Sequence, residues 1–421
     1  MTSESTGLRD TVVIGAGQAG LAVSHHLGLG AVGHVVLEQG RVGETWRSQR
    51  WDSFALNTPG WASRLPGDDA GAGPADEFAP RDAFAAYLQR YAEHRHLPIR
   101  TGVTVTAVEH AAAGGFIVRT GAMDPIATRT VVVASGSQRL PRMPAVAAAL
   151  PASVTQVHSV AYRNPAQLPP GAVLVVGSAQ SGGQIVEELL DAGRTVYLST
   201  SRVPRVRRRY RGLDCFAWLV DTGFLDQTIA TLPNPAMEFV PQPIISGLGR
   251  SGHTVSLQFL AERGARLLGH VTGVADGRLV LADNLGANIA WADARASEML
   301  GMFDAWIARN GVNAPPREPD VADDPHPNPG AVHAAEALDF DAAGISTVIW
   351  TTGVRGEFNW LPPAAVAADG RPIHAEGVSP LPGLYFAGVP WQRNRASGII
   401  KGAGEDAALL VARITEHLAA R

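Results

Sequence analysis

Apolar and glycine positions along this chain fall into one pattern that occurs twice. Near the start, Thr11-Val12-Val13-Ile14 is a short β-branched run leading into Gly15-x-Gly17-x-x-Gly20. An apolar helical stretch follows, then a second run, His34-Val35-Val36-Leu37, that ends on Glu38. From Ala172 the pattern returns: Val173–Val176, then Gly177-x-Ala179-x-x-Gly182, a helix, and Thr195–Ser199. The first glycines of the two turns are 162 residues apart (177 − 15), so this is duplicated architecture and not a short repeat. Both read as strand–turn–helix–strand units of a parallel α/β fold.

The rest of the chain is read around these two units. Asp82 to Arg95 has Phe84, Tyr87, Leu88 and Tyr91 on one helical face. Ile99–Val108 and Phe116–Thr120 alternate as an antiparallel excursion, and Thr130–Ser135 is a buried strand ending in Ser135-Gly136-Ser137. Prolines 141, 144 and 151 mark a crossing between domains. Leu213–Leu232 reads as helical and Pro233–Gly252 as irregular, with strands and a helix over Val271–Ala282 and Ala292–Arg309. A proline-rich connector, Asn313–Gly330, carries His326, read as a solvated loop histidine. Ser346–Trp350 is a buried strand running into Thr351-Thr352-Gly353, Gly383–Ala387 is another that ends at Gly388, and a long helix begins near Ser397.

Glycine spacing gives the two turns their chemistry. Gly15 permits the tight turn, Gly17 clears room for a pyrophosphate, and Gly20 lets helix and strand pack closely. The helix N-terminus offers unpaired N–H groups to the anion. Glu38, eighteen residues after Gly20, is placed to accept from ribose hydroxyls. The second unit ends instead on Ser199-Thr200-Ser201-Arg202, with no acid. Hydroxyls and an arginine suit a 2′-phosphate that a carboxylate would repel, which favours NADP over NAD there. Arg202, Arg205, Arg207, Arg208, Arg209 and Arg211 form a basic run, read as a mostly solvated face with one or two members at that phosphate.

Composition narrows the classes. At 421 residues with 46% hydrophobic and 18% charged residues, the chain has material for two or three globular domains. A net charge of −4 gives no general attraction to nucleic acid or anionic membrane. No apolar run is long enough to span a bilayer, and MTSESTGLRD lacks a signal segment, so a cytoplasmic location is expected. Thirteen histidines are scattered without metal-ligand spacing; His25-His26 reads as a packing or surface pair. Cys215 is the single cysteine, so no dithiol pair exists within the chain.

Two dinucleotide sites on one chain suit hydride transfer from a nicotinamide to a flavin. Without a dithiol, electrons must pass on to oxygen, a quinone or a separate carrier. The loop after Glu38 holds Trp46, Trp51 and Trp61 among turn residues and reads as a cofactor wrap.

The whole chain resembles the class B flavoprotein monooxygenases of the flavin-containing monooxygenase group, near its YUCCA-like and small bacterial branches. GAGQAG and GSAQSG are similar to that family's two nucleotide motifs in order and spacing. GETW followed by Arg47, and Leu56-Asn57-Thr58-Pro59, resemble its loops over the flavin. His158, Tyr162 and Arg163 match the second half of its inter-domain fingerprint, while Ala152 and Val154 stand where phenylalanine and glycine are the family's residues. Tyr162 followed by arginine is closer to the heteroatom-oxidising branch than to the Baeyer–Villiger branch. Thr351-Thr352-Gly353 resembles the Ala-Thr-Gly strand end.

The resemblance implies an α/β fold of two Rossmann-like dinucleotide-binding domains, the NADPH domain inserted into the FAD domain. The expected division is 1–164, 165–335 with a helical insertion, and 336–421. It also implies an NADPH- and O2-dependent enzyme that oxygenates a small molecule at nitrogen or sulfur through a C4a-(hydro)peroxyflavin. An NADPH-dependent flavin reductase or oxidase, a Baeyer–Villiger or oxidative decarboxylating monooxygenase, and a non-catalytic flavoprotein are the alternatives; a homodimer is the candidate assembly. Expected cofactor-binding residues in the first unit and its loops are Gly15, Gly17, Gln18, Ala19, Gly20, Glu38, Gln39, Glu44, Thr45, Trp46, Thr58, Val105, Ser135 and Gly136. Gly177, Ser178, Gln180, Ser181, Gly182, Ser201 and Arg202 are expected from the second, with Thr352, Gly353, Gly388 and Ser397 beyond it. Asn57, Trp46 and Arg395 are expected at the reacting centre. Arg202 would bind the 2′-phosphate, the helix near Ser397 would face the flavin ring, and His158 would be structural.

Overall fold

A computed structural model describes residues 8–112, 114–121, 123–323 and 337–420. His326 and the expected border at 335/336 lie outside them. The chain begins with β1 (Arg9–Ile14), α1 (Gln18–Leu29), β2 (His34–Leu37), the short α2 (Glu44–Ser48), α3 (Arg81–His94), β3 (Ile99–Arg100), β4 (Val105–His110), β5 (Phe116–Thr120) and β6 (Ile126–Val133). It crosses through β7 (Leu140–Pro141) and β8 (Thr155–His158) to β9 (Ala172–Val176), α4 (Gln180–Asp191) and β10 (Val196–Ser199). An insertion holds β11 (Arg209–Tyr210), β12 (Leu213–Asp214) and α5 (Cys215–Asp221); then come α6 (Leu257–Glu262), β13 (Arg266–Leu268), β14 (Val271–Ala275), β15 (Arg278–Leu281) and α7 (Leu285–Asn310). The return comprises β16 (Ala337–Asp339), β17 (Ile345–Trp350), β18 (Val354–Arg355), β19 (Leu384–Phe386) and α8 (Ile400–Ala419).

These elements make the expected α/β architecture of two Rossmann-like sheets. In the first the order is β3-β2-β1-β6-β5-β4, with β19 added beside β6. In the second it is β13-β10-β9-β17-β8, parallel throughout. β1 and β9 are both central, and their Val-rich runs are buried, as a strand covered on both faces requires. Because β8 and β17 belong to the second sheet, that sheet draws strands from both sides of 165–335. β7 and β18 pair antiparallel at the crossing. One apolar cluster joins the units, from Leu21 and Ile414 through Trp51, Phe54 and Tyr162 to Ile185 and Leu189.

Three elements differ from the sequence reading. Ile99–Arg100 is not part of the antiparallel excursion; it pairs parallel with β2, while β4 and β5 form the hairpin. Leu213–Leu232 is not one helix. Asp214 caps α5 at the Phe216 N–H, and Gly223, at φ 71°, stops it with left-handed backbone, leaving 3-10 turns beyond. The helix placed at Ala292–Arg309 starts two turns earlier, at Leu285.

Candidate functional site

The first turn has the geometry its glycines promised. Gly15 sits at φ +108°, where a side chain would be strained, and a Cβ there would meet the Ala134 carbonyl at 2.4 Å. A Cβ on Gly20 would lie 1.9 Å from the Gly15 carbonyl oxygen, so helix and strand touch through backbone. A Cβ on Gly17 would meet nothing within 4 Å. That methyl-sized space opens on the cavity, beside the α1 N-terminus, which has no side-chain cap. Glu38 is buried, and its two carboxylate oxygens accept from the Ala16 and Gly40 N–H groups at 2.8 Å each. The carboxylate is thus fixed in orientation with lone pairs left for a ligand.

The second turn repeats this backbone. Gly177 has φ +109°, and a Cβ on Gly182 would lie 2.0 Å from the Gly177 oxygen. The Thr351 hydroxyl reaches the Val176 and Gly177 carbonyls at 2.9 and 2.8 Å, tying the β17 end to the turn. Thr200 stands where Glu38 stood; it is buried and spent, donating to the Leu268 carbonyl and accepting from Asn288. The Ser201 N–H donates to the Ser178 hydroxyl at 3.0 Å, and Arg202 is exposed.

Both turns border one cavity of about 950 Å³, near the upper end of the ~300–1,000 Å³ usual for small-molecule and cofactor sites. Of the expected residues, Gly15, Gly17, Gln18, Ala19, Glu38 and Gln39 line its first end. Glu44, Thr45, Trp46, Asn57, Thr58, Val105, Ser135 and Gly136 line its middle. Gln180, Ser181, Gly353, Gly388, Arg395 and Ser397 line the far side. Seven do not line it. Gly20, Gly177 and Gly182 shape the turns from behind, Ser178 in the turn after β9 bonds to Ser201, Ser201 and Arg202 lie past the end of β10, and the Thr352 hydroxyl donates to the Arg142 carbonyl.

Asn57 is held from two sides. Its Oδ1 accepts from Gln184 Nε2 at 3.1 Å, and its backbone oxygen accepts from the Arg208 guanidinium at 2.9 Å. This pattern leaves Nδ2 as the donor available to a ligand. Trp46 donates from Nε1 to Gln18 Oε1 and packs edge-on against Phe84, so it is a fixed wall and not a proton donor. Ser397, Gly398, Ile399 and Ile400 bring the uncapped N-terminus of α8 to the cavity. Trp51 lines it too, whereas Trp61 packs on Phe216, 5.9 Å between centroids, outside. The insertion closes the remaining side with Phe216, Leu219, Phe224, Leu225 and Ile245.

The sequence reading missed several groups. Arg50 lines the cavity with its guanidinium over Trp46 and Phe54, at 5.1 and 5.5 Å, and burial pulls its pKa down to about 10. Arg47, the residue noted in sequence, instead donates to the Val42 and Ala85 carbonyls and holds α2 in place. The only signal for Arg50 was the four-residue spacing Trp46, Arg50, Phe54. Ser135 Oγ, Gln49 Oε1, Trp51 Nε1 and Gln184 Oε1 are buried without a protein partner, and all four residues line this cavity. An unsatisfied buried polar atom costs about 1–3 kcal/mol, so this set fits a polar, extended occupant.

The basic run is corrected. Arg205, Arg207 and Arg208 are buried, not solvated. Arg205 pairs with Asp293 and Asp323, Arg207 with Asp320 and Asp323, and Arg208 with Asp214. They stitch the insertion to the Asn57 loop and to α7. His158 is structural: the Val160 N–H donates to Nδ1, which puts the proton on Nε2, and Nε2 donates to the Gly353 carbonyl at 3.0 Å. Burial lowers its pKa below the usual 6.5. The Tyr162 hydroxyl donates to Glu188 at 2.7 Å. Cys215 is fully buried and its thiol is pushed up to about 12, which makes it inert.

Residues 12–212 match the family model for pyridine nucleotide-disulphide oxidoreductases. The chain is 31% identical over 411 residues to an uncharacterized CzcO-like oxidoreductase of Geobacillus kaustophilus, covering 97% of this chain and 99% of that one. The chain belongs to the CzcO-like oxidoreductases. This CzcO-like chain is also 31% identical over 194 residues to indole-3-pyruvate monooxygenase YUCCA1 of Oryza sativa, 45% of this chain and 47% of the relative. Its fold matches that of a flavin-containing monooxygenase from Stenotrophomonas maltophilia with a TM-score of 0.62, at 19% identity, over 97% and 98% of the two chains. The resemblance to class B flavin monooxygenases read from the motifs holds, and the protein is an oxidoreductase. Among the described residues, no helix is long and apolar enough to cross a membrane.

Proposed function

We propose that this protein is an NADPH- and oxygen-dependent FAD monooxygenase that oxygenates a small molecule at nitrogen or sulfur. The observation that carries the reading is the shared cavity. It runs from the first glycine turn to the N-terminus of α4 and is closed by an apolar insertion. FAD would take the first end, with its diphosphate at Gly15, Gly17 and Gln18, its ribose on Glu38, and Arg50 as counter-charge. NADPH would enter over Gln180 and Ser181, with Arg202 at its 2′-phosphate. When bound, FAD supplies the redox and oxygen chemistry and NADPH supplies the hydride. In balance, two electrons from NADPH and two protons turn one oxygen atom of O2 into water, while the other goes to a substrate lone pair.

This chain's own residues hold, orient and exclude water. Asn57 Nδ2 offers a fixed donor at the meeting point of the two cofactors, oriented by Gln184. Trp46, Trp51, Phe216 and Leu219 give that point apolar walls, which slow hydrolysis and stray proton transfer. The N-terminus of α8 steadies negative charge on whatever it faces. Disulfide reduction, the chemistry in the matched family's description, has no support here, because the one cysteine is buried and inert.

The sheets support a division in which strands cross near 141–151 and again after Gly353, in place of 164/165 and 335/336. A cytoplasmic location and a homodimer are part of the same proposal; light scattering tests the second. The functional test is stopped-flow absorbance: reduce with NADPH, mix with oxygen, and follow the return of oxidised flavin. We expect a lag before that return, lost in Asn57→Ala with unchanged flavin content. Immediate reoxidation in the wild type would leave a simple NADPH oxidase.

A further inference from the structure

We propose that Arg395 is the anchor for a carboxylate on the substrate, so that the small molecule oxygenated here is an apolar acid and not a neutral or cationic amine. The inference rests on the monooxygenase reading and names the substrate class for that cavity.

Several guanidinium groups at or near the cavity are spent on carboxylates. Arg139 pairs with Glu357, Arg208 with Asp214, and Arg393, two residues before Arg395, with Glu405 and Asp406. Arg395 differs. Among the described residues no carboxylate pairs with it, and its polar partners are two neutral side chains. Nε and Nη2 donate to Gln227 Oε1 at 3.2 and 3.1 Å, and Nη1 donates to Gln242 Oε1 at 3.4 Å. The group lies 4.2 Å from the Phe224 ring centroid and 4.6 Å from that of Trp391. Two glutamines and two rings fix its position without cancelling its charge. Of five N–H donors, three go to the glutamines, which leaves two for a ligand. Burial draws its pKa down to about 10, so it stays charged at neutral pH.

Its surroundings are apolar. Arg395 lines the cavity beside Phe224, Leu225, Pro241 and Pro243 of the insertion. The backbone also locks the two segments together, since the Arg395 and Ala396 N–H groups donate to the Gln227 and Leu225 carbonyls. Arg50, the other cavity arginine without a carboxylate, lies near the first turn and suits a diphosphate. A carboxylate set against Arg395 among apolar side chains would bind more strongly than in water. It would also hold the acid's apolar body along the Phe216–Leu219 wall, toward Asn57.

The test uses the FAD-loaded enzyme with NADP⁺ and the probe pair (phenylthio)acetate and (phenylthio)acetamide. Binding is read by tryptophan fluorescence and calorimetry, and sulfoxide formation with the KM for NADPH is read in parallel. The acid should bind roughly 10- to 100-fold tighter than the amide. Arg395→Gln should abolish that preference, Arg395→Lys should restore part of it, and neither should move the KM for NADPH. Equal binding of acid and amide, or no binding of the acid, would overturn the proposal. So would a rise in the NADPH KM in Arg395→Gln with the acid preference kept, which would assign Arg395 to a cofactor phosphate. Tight, Arg395-dependent binding without sulfoxide would sustain the anchor and count against the monooxygenase reading alone.

Discussion

The two glycine turns are nearly superimposable in backbone and opposite in the strand ends beyond them. Gly15 and Gly177 have φ of 108° and 109°, and the close contacts behind Gly20 and Gly182 are 1.9 and 2.0 Å. At the third position one has a bare glycine and the other an alanine. At the end of the next strand one has a poised carboxylate, the other a threonine already spent on protein. Under the proposed reading, the turn specifies a dinucleotide, while the strand end specifies which one. This also explains why a glycine motif by itself is weak evidence for any particular cofactor.

The largest expected effect tests what the turns share. Gly20→Ala and Gly182→Ala push a methyl into backbone, so each should destabilise its unit by about 3 kcal/mol or more. Urea unfolding measures this, and a large difference between the two would break the equivalence. Next is Glu38→Gln, which should leave the fold and weaken FAD by about 1.5–3 kcal/mol, read from flavin content and titration. Retained affinity would mean the strand-end acid does not hold the ribose. Gly17→Ala sharpens the same point. The methyl has open space in the protein and Ala179 shows that the backbone tolerates it, so stability should stay level while flavin content falls. Arg202→Ala comes lower, at about 1 kcal/mol, because the group is exposed and screened; it should raise the KM for NADPH about fivefold and leave that for NADH unchanged.

The smallest effect concerns the joint between the units. His158 has a lowered pKa in the folded protein, so the unfolded chain binds more protons just below pH 6.5. Its contribution to stability is therefore complete above that value and declines as pH falls through 6.5. Protonation of Nδ1 would also remove the acceptor of the Val160 N–H. The fall in Tm between pH 7 and 5 should be shallower in His158→Gln; an unchanged slope would place the sensitivity in other buried histidines.

Local pattern carried much of this fold. β-branched runs and glycine spacing announced β1, β9 and the helices after them, because those signals lie within a dozen residues. The tryptophan-rich loop stood out because aromatic and turn residues coincide there, whereas Asn57 was singled out only by the family resemblance of its segment. The failures depend on distant partners. Arg205 and Arg207 looked like part of a solvated run because Asp293 and Asp323 are not visible as neighbours in sequence. Ile99–Arg100 could not be assigned to β2 from alternation, which is blind to strand order. Arg50 was passed over for Arg47 because only the three-dimensional path shows which faces the cavity.

The pairing of β19 beside β6 has a consequence for how the chain is made. Leu384–Phe386 completes the first sheet and α8 covers α1, yet both leave the ribosome after β17. The second sheet gains its last strand by Trp350. Synthesis therefore finishes the inner sheet first and leaves the outer one open until β19 and α8 emerge, so capture of its nucleotide follows completion of the second sheet. Pulse proteolysis of stalled chains would show protection of 172–350 before protection of 9–133.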